Sequence, residues 1–183
     1  MNTLSANTIN KAHIGYLFKK EVQLRKVLKN EKWTLDAIDS QILTLLDTNA
    51  RLPVAEIARA VNMSSPSINE RLKKMEEHGV IAGYTVELDP ESFGYPLMAI
   101  VRMRQHPGKI KQLEAMIERI PEIIECDKVT GEDCFFARIC FESMSQLDDV
   151  LDKVSTLADT NTSIIKSTLV KRRNVPYQFA AKR

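Results

Sequence analysis

The octapeptide DPESFGYP, Asp89–Pro96, separates two stretches of chain whose apolar residues follow different periods. Before it, apolar side chains recur at steps of three and four. After it, short apolar runs alternate with helical stripes. A helix repeats its buried face about every 3.6 residues and a strand every second residue, so the two stretches cannot share one kind of layer. The octapeptide itself is rich in turn formers and reads as a linker. With 183 residues, 44% of them hydrophobic, the chain can build two small cores. The expected division is a basic extension over 1–33, a small helical domain over 34–88, the linker 89–96, an α+β domain over 97–175 and a tail over 176–183.

Composition removes several classes of function. No apolar run approaches the roughly 20 residues of a membrane helix, and the N-terminus lacks the apolar region of a signal peptide. A cytoplasmic protein with no membrane partner is expected. Cys126, Cys134 and Cys140 are odd in number and form no Cys-x-x-Cys, and His13, His78 and His106 lie far apart. Neither a metal site nor a disulfide is expected; thiols buried in a sheet fit better. The net charge of +2 conceals an asymmetry: residues 1–34 hold seven Lys/Arg against two Asp/Glu, residues 35–88 five against eight, and residues 89–183 fourteen of each. A nucleic-acid reading therefore rests on local placement of charge, not on bulk charge.

In the first stretch, Leu35, Ile38, Ile42 and Leu45 give one helix, with Thr34 as its cap and Asp36 in its first turn. The segment TNAR ends it. Pro53 suits the first turn of a second helix marked by Val54, Ile57, Ala58 and Val61. A third helix starts at Ser64 or Ser65. Proline disfavours helical geometry in the residue before it, which points to Ser65 as the cap. Gly79 stops this helix, and VIAGYTVEL reads as a hairpin or wing. Three short helices with a tight turn before the last suggest a helix-turn-helix. At about 100° per residue, Ile68, Leu72 and Met75 fall on one side of the third helix. Ser67, Glu70, Lys73 and Lys74 fall on the other, flanked by Asn69 and Arg71. Hydroxyl, carboxylate and ammonium groups are those that read base edges and hold phosphates. A solvated face with a Glu70–Lys74 pair would look the same.

The second stretch orders its elements as βαββαβ, the ferredoxin-like arrangement. LMAIVRMR is a strand. Ile110, Leu113, Ile117 and Ile120 mark a helix closed by Pro121. EIIECDKVT and CFFARICF are strands joined through GED. Leu147, Val150, Leu151, Val154 and Leu157 mark a second helix, and SIIKSTLVKRR is the last strand. Phe135, Ala137, Ile139 and Phe141 line one face; Cys134, Phe136 and Cys140 line the other. The second face lacks a covering element, and a partner subunit is the simplest cover.

The stretch from Leu35 to Pro90 resembles the N-terminal domain of the Lrp/AsnC (feast/famine) transcriptional regulators. The residues that carry it are Leu35-Asp36 with Asp39, Ile42-Leu43, Arg51, Glu56 with Ala58, Ser64, Arg71 and GVIAGY. VTGEDCFF resembles the turn of that family's C-terminal ligand-sensing domain. The resemblance runs from about Leu35 to Tyr177. It implies a winged helix-turn-helix followed by a ferredoxin-like domain, in a sequence-specific DNA-binding regulator that is a homodimer assembling to a tetramer or octamer. It also implies an amino acid or related molecule as effector; the residues themselves show no nucleophile–base pair, metal cluster or Gly-rich phosphate loop, so neither a cofactor nor an enzyme activity is expected. By the family pattern Ser64, Ser65, Ser67, Asn69, Arg71 and Lys74 lie at the DNA, Arg71 on the backbone, Ser67 and Lys74 at base edges, with Asn62 and Arg51 on phosphates. The effector would meet Thr130, Gly131, Glu132, Asp133 and Cys134. Backbone amides of the glycine turn would hold its carboxylate, and Glu132 or Asp133 its ammonium group. The alternative there is a plain acidic turn. An aspartate is common in the family where Cys134 stands, and Cys134 also invites an oxidant-sensing reading. The basic extension is a departure from the family; a DNA-lying arm, a helix on the partner subunit and a disordered tail all suit it. The competing functions are an architectural DNA-organising protein and a small-molecule enzyme or its regulatory subunit.

Overall fold

A computed structural model of the chain describes residues 34–177; the basic extension of residues 1–33 and the last six residues lie outside the described part. Two compact units result. Among the described residues, one comprises 34–86 together with 172–177; the other spans Glu87–Lys171. The segment Arg172–Tyr177 thus falls with the N-terminal unit, although the sequence suggests that the C-terminal domain runs to residue 175.

In the first unit, helix α1 spans Ala37–Thr48. Its cap is Asp36 and not Thr34: the Asp36 carboxylate accepts from the Asp39 amide at 2.7 Å, and the Asp39 carboxylate accepts from the Asp36 amide at 3.2 Å. Only at Asp36 does an acceptor stand three residues before an acid that returns the bond, which satisfies two free amides at once. Helix α2 spans Val54–Ala60, with Pro53 just outside it as the cap residue. Helix α3 spans Ser65–Glu77. Ser64, not Ser65, caps it, its hydroxyl accepting from the Ser67 amide. Proline then sits second in the helix, where no amide hydrogen is needed. Ile42, Ile57, Ala58, Ile68 and Met75 form the buried centre, with Leu35, Ile38, Leu45, Leu72, Val80 and Ile81 packed around it.

Helices α2 and α3 end in the same way. Asn62 and Gly79 both have left-handed backbone, with φ of 54° and 66°. The next residue in each case reaches back to the helix: Met63 N to Ala58 O at 2.9 Å, Val80 N to Met75 O at 2.8 Å. These are Schellman closures, which occupy carbonyls the helix leaves free. The α2–α3 turn is therefore set by Asn62, a residue type that tolerates this conformation.

The hairpin expected after Gly79 does not form. Residues 82–89 lie in no helix or strand. A hairpin needs two arms about its turn, and the short first arm, Val80-Ile81, is drawn into the helical core. Tyr84, Val86 and Leu88 are left exposed.

The second unit begins with a short 3-10 turn, Glu91–Phe93, closed by Gly94. It then follows the expected order: β1 Leu97–Gln105, α4 Ile110–Ile117, β2 Ile123–Lys128, β3 Phe135–Phe141, α5 Met144–Val154, β4 Ala158–Ile164. The sheet order is β2-β3-β1-β4 with every pair antiparallel. Phe135, Ala137, Ile139 and Phe141 of β3 and Ala99, Val101 and Met103 of β1 pack into one core with Leu113, Leu147, Val150 and Val154 of the helices. The last strand differs from expectation. It is ADTNTSI, ending where the apolar SII begins. As an edge strand it pairs on one side only, from Ala99–Ile164 to Gln105–Ala158, so register with β1 and not hydrophobicity selects it.

Replacing Asn62 by valine places a β-branched side chain in left-handed backbone and should destabilise the N-terminal unit by about 1–2 kcal/mol. Glycine at the same position should be near neutral; urea denaturation followed by circular dichroism distinguishes the two.

Candidate nucleic-acid interface and effector loop

The position of α3 depends on Arg71. Its Nη1 atom lies 2.7 Å from a carboxylate oxygen of Asp36 and 2.7 Å from one of Asp39. Asp39 is almost wholly buried and Arg71 a quarter exposed. Burial pushes the Asp36 carboxyl up, but the Asp39 amide and the Arg71 guanidinium outweigh it and hold it below its ordinary value. The Asp36 hydrogen bond raises Arg71 further. The Arg71 guanidinium, expected at the DNA backbone, is bound to α1 in this structure, where two acids of the capping box converge as it emerges from α3.

Ser67, Arg71 and Lys74 line one open cleft with Thr34, Met63 and Glu70. Asn69 and Lys74 are exposed on α3, and Lys74 pairs with Glu70 at 2.7 Å. The Glu70 carboxyl is held low, first by its hydrogen bond from Lys74. Ser64 and Ser67 share a hydroxyl contact of 2.8 Å at the start of the helix. Asn62 lies in the turn before it. Arg51 stands apart from this cleft, exposed on the α1–α2 turn.

The loop from Val129 to Cys134 is closed by Val129 N donating to Cys134 O at 2.8 Å. Gly131 has φ of 128°, and a Cβ there would meet no atom within 4 Å, so conformation and not space requires glycine. Thr130, Gly131 and Glu132 are exposed, but Cys134 is buried. Its thiol donates to the Met103 carbonyl at 3.6 Å and to the Gln105 side chain. Cys134 therefore packs the base of the loop and does not join its open face. Burial pushes the Cys126 thiol up to about 11 and raises the Cys140 thiol as well, which disfavours thiolate chemistry.

The sequence reading missed two residues here. Arg102 lies 3.4 Å from Asp133, and Arg104 lies 3.2 Å from Glu132 and 3.8 Å from Asp133. The acids of the loop face guanidinium groups. The signal was present: Arg102 and Arg104 are two apart on β1, hence on one face, and Arg102 pairs in register with Phe136 just past the loop.

Residues 35–76 match the AsnC-type helix-turn-helix domain, and residues 98–175 match the Lrp/AsnC ligand binding domain. The chain is 32% identical to the transcriptional regulator LrpC of Bacillus subtilis over 74% of its own length and 94% of that protein. The chain belongs to the Lrp/AsnC family. It is a helix-turn-helix transcriptional regulator. Another Lrp/AsnC relative, the leucine-responsive regulatory protein of Haemophilus influenzae, is 30% identical over 83% of this chain and 95% of its own. Among solved structures, a Neisseria meningitidis transcriptional regulator in complex with L-Met superposes with a TM-score of 0.72 at 28% identity, covering 78% of this chain and 97% of that one.

Arg71→Ala would leave Asp39 buried without its counter-charge. It should destabilise the helix-turn-helix unit by about 2–3 kcal/mol, below the 3–5 of a fully buried pair because Arg71 and Asp36 are partly solvated. A lowered Asp36 value means its contribution is complete above the ordinary carboxylate range and is lost as pH falls through the lowered value. Urea midpoints measured across acidic pH should fall in the parent, and the slope of that fall should shrink in Arg71→Ala.

Proposed function

We propose that this chain is a sequence-specific DNA-binding regulator whose assembly or DNA occupancy responds to an amino acid or a close relative of one. The observation that carries this reading is α3: a Ser64-capped helix, fixed by Asn62 and Arg71, whose outer side offers Ser67, Asn69 and Lys74. Ser67 and Lys74 suit base edges, while Ser64, Ser65 and the free amides at the helix start suit a phosphate. Arg51 and Asn62 suit flanking phosphates. Arg71 acts through α1, as a positioning residue.

The effector would lie at the loop Thr130–Cys134. Support comes from the pairing of Asp133 and Glu132 with Arg102 and Arg104, since an amino acid carries both charges that such groups recognise. Gly131 leaves backbone amides open to a carboxylate, and Cys134 supports the loop from below. The relatives named leucine-responsive or bound to L-Met favour an amino acid over other ligands.

Two features support a homodimer and larger even assemblies. The sheet face away from the helices bears Ile100 and Phe136, each 37% exposed, among arginines. Residues 82–89 lie in no helix or strand, which leaves their backbone open to pairing by a second copy. A dimer would set two copies of α3 about 34 Å apart on a pseudo-palindromic site, and an effector would change their spacing or assembly.

Selection from a pool of random duplexes, with and without mixed amino acids, tests the reading. A palindromic site should be enriched, and amino acids should shift its binding. Salt-sensitive binding to all sequences alike would indicate an architectural protein instead. Lys74→Ala should relax base preference by about 1–3 kcal/mol at the positions it reads. Asp133→Ala should keep DNA binding and lose the amino-acid shift, as followed by fluorescence anisotropy on the selected duplex.

A further inference from the structure

The helix-turn-helix unit is short of available positive charge. Residues 34–86 hold five Lys/Arg against seven Asp/Glu. Of the five cations, Arg71 is bound by Asp36 and Asp39 and Lys74 by Glu70, which leaves Arg51, Arg59 and Lys73 without an ion pair among the described residues. Affinity for a duplex comes largely from cations on phosphates, so further cations held on this unit would add to it.

The segment Arg172–Tyr177 supplies them. Asn174 donates to one oxygen of Asp47 at 2.6 Å, and the Tyr177 hydroxyl donates to the other at 3.1 Å. The Ser40 hydroxyl donates to the Tyr177 carbonyl at 3.4 Å. Asp36, Ser40 and Asp47 stand at helical spacing on one side of α1. The segment therefore forms a strap along the line on α1 whose far end holds the recognition helix. Arg172 and Arg173 come just before Asn174, whose partner Asp47 is in the last turn of α1, four residues before Arg51. All three arginines are exposed, with no ion pair among the described residues. α1 has no basic residue in its own last turn.

We infer that Arg172 and Arg173 form with Arg51 a second contact surface for DNA phosphates, held on the helix-turn-helix unit by the Asp47 latch. The guanidinium fork matches a phosphate, and its charge does not depend on pH. This surface carries affinity without base preference. It rests on the reading of the chain as a DNA-binding protein. The competing role is structural: two cations near the negative end of α1, stabilising that helix alone.

The test titrates the full chain against a fluorescein-labelled duplex of random sequence over a salt series. Arg172→Gln with Arg173→Gln should lower the slope of log affinity against log salt by about 1.8, close to 0.9 for each contact. A fourfold rise in salt then costs this variant roughly tenfold less affinity than the parent. The thermal midpoint should not move, and Arg172→Lys with Arg173→Lys should restore the slope. An unchanged slope in the glutamine variant overturns the inference. So does a lowered thermal midpoint in the glutamine variant, regained in the lysine variant, without a change of slope, which assigns the arginines to α1. Failure of the parent chain itself to bind any duplex at low salt overturns the DNA-binding reading, and this inference with it.

Discussion

A guanidinium held between two carboxylates organises the helix-turn-helix unit. Asp36 and Asp39 already close the start of α1 on each other, and their remaining oxygens take Arg71 from α3. Asp39 is buried, so its charge has no alternative partner of comparable strength among the described groups. One cluster thus ends one helix and fixes the rotation of another. The face that α3 presents follows from that rotation: Ile68 and Met75 go inward, and Asn69, Glu70 and Lys74 go outward.

The sensor unit uses charge differently. Its arginines sit on a sheet face, in water, opposite the acids of a neighbouring loop at 3.2–3.8 Å. Exposed pairs of this length contribute little to stability. They are free to exchange one another for a ligand's charges at small cost, unlike the Arg71 cluster. Arginine with a carboxylate is therefore a fastener in one unit and an adjustable surface in the other, and burial decides which.

Much of the fold was legible in the sequence because burial is periodic. The stripe from Leu35 to Met75 and the alternation of Phe135, Ala137, Ile139 and Phe141 gave the elements and their inner faces. Three things were not legible. The cap at Asp36 depends on Asp39 returning a bond, which residue preference does not encode. β4 is polar and is chosen by its register with β1. The wing is absent because Val80 and Ile81 have a stronger claim on the core than on a hairpin. For the candidate site, the outer face of α3 could be read from helical spacing. The role of Arg71 could not: its partners lie 32 and 35 residues earlier, and only the fold brings them near. Arg102 and Arg104 were visible as a two-residue repeat, but their meaning lay in the loop across the sheet.

The strap makes the N-terminal unit discontinuous in sequence, and this bears on synthesis. A chain emerging from the ribosome can fold α1 to α3 early, since their contacts are local. It cannot seat Asn174 and Tyr177 on Asp47 until the whole sensor unit has been translated. The helix-turn-helix unit is therefore finished last as well as begun first. Nascent and prematurely terminated chains carry a recognition helix but lack the strap, so completeness of the polypeptide is registered in the very unit that meets the genome.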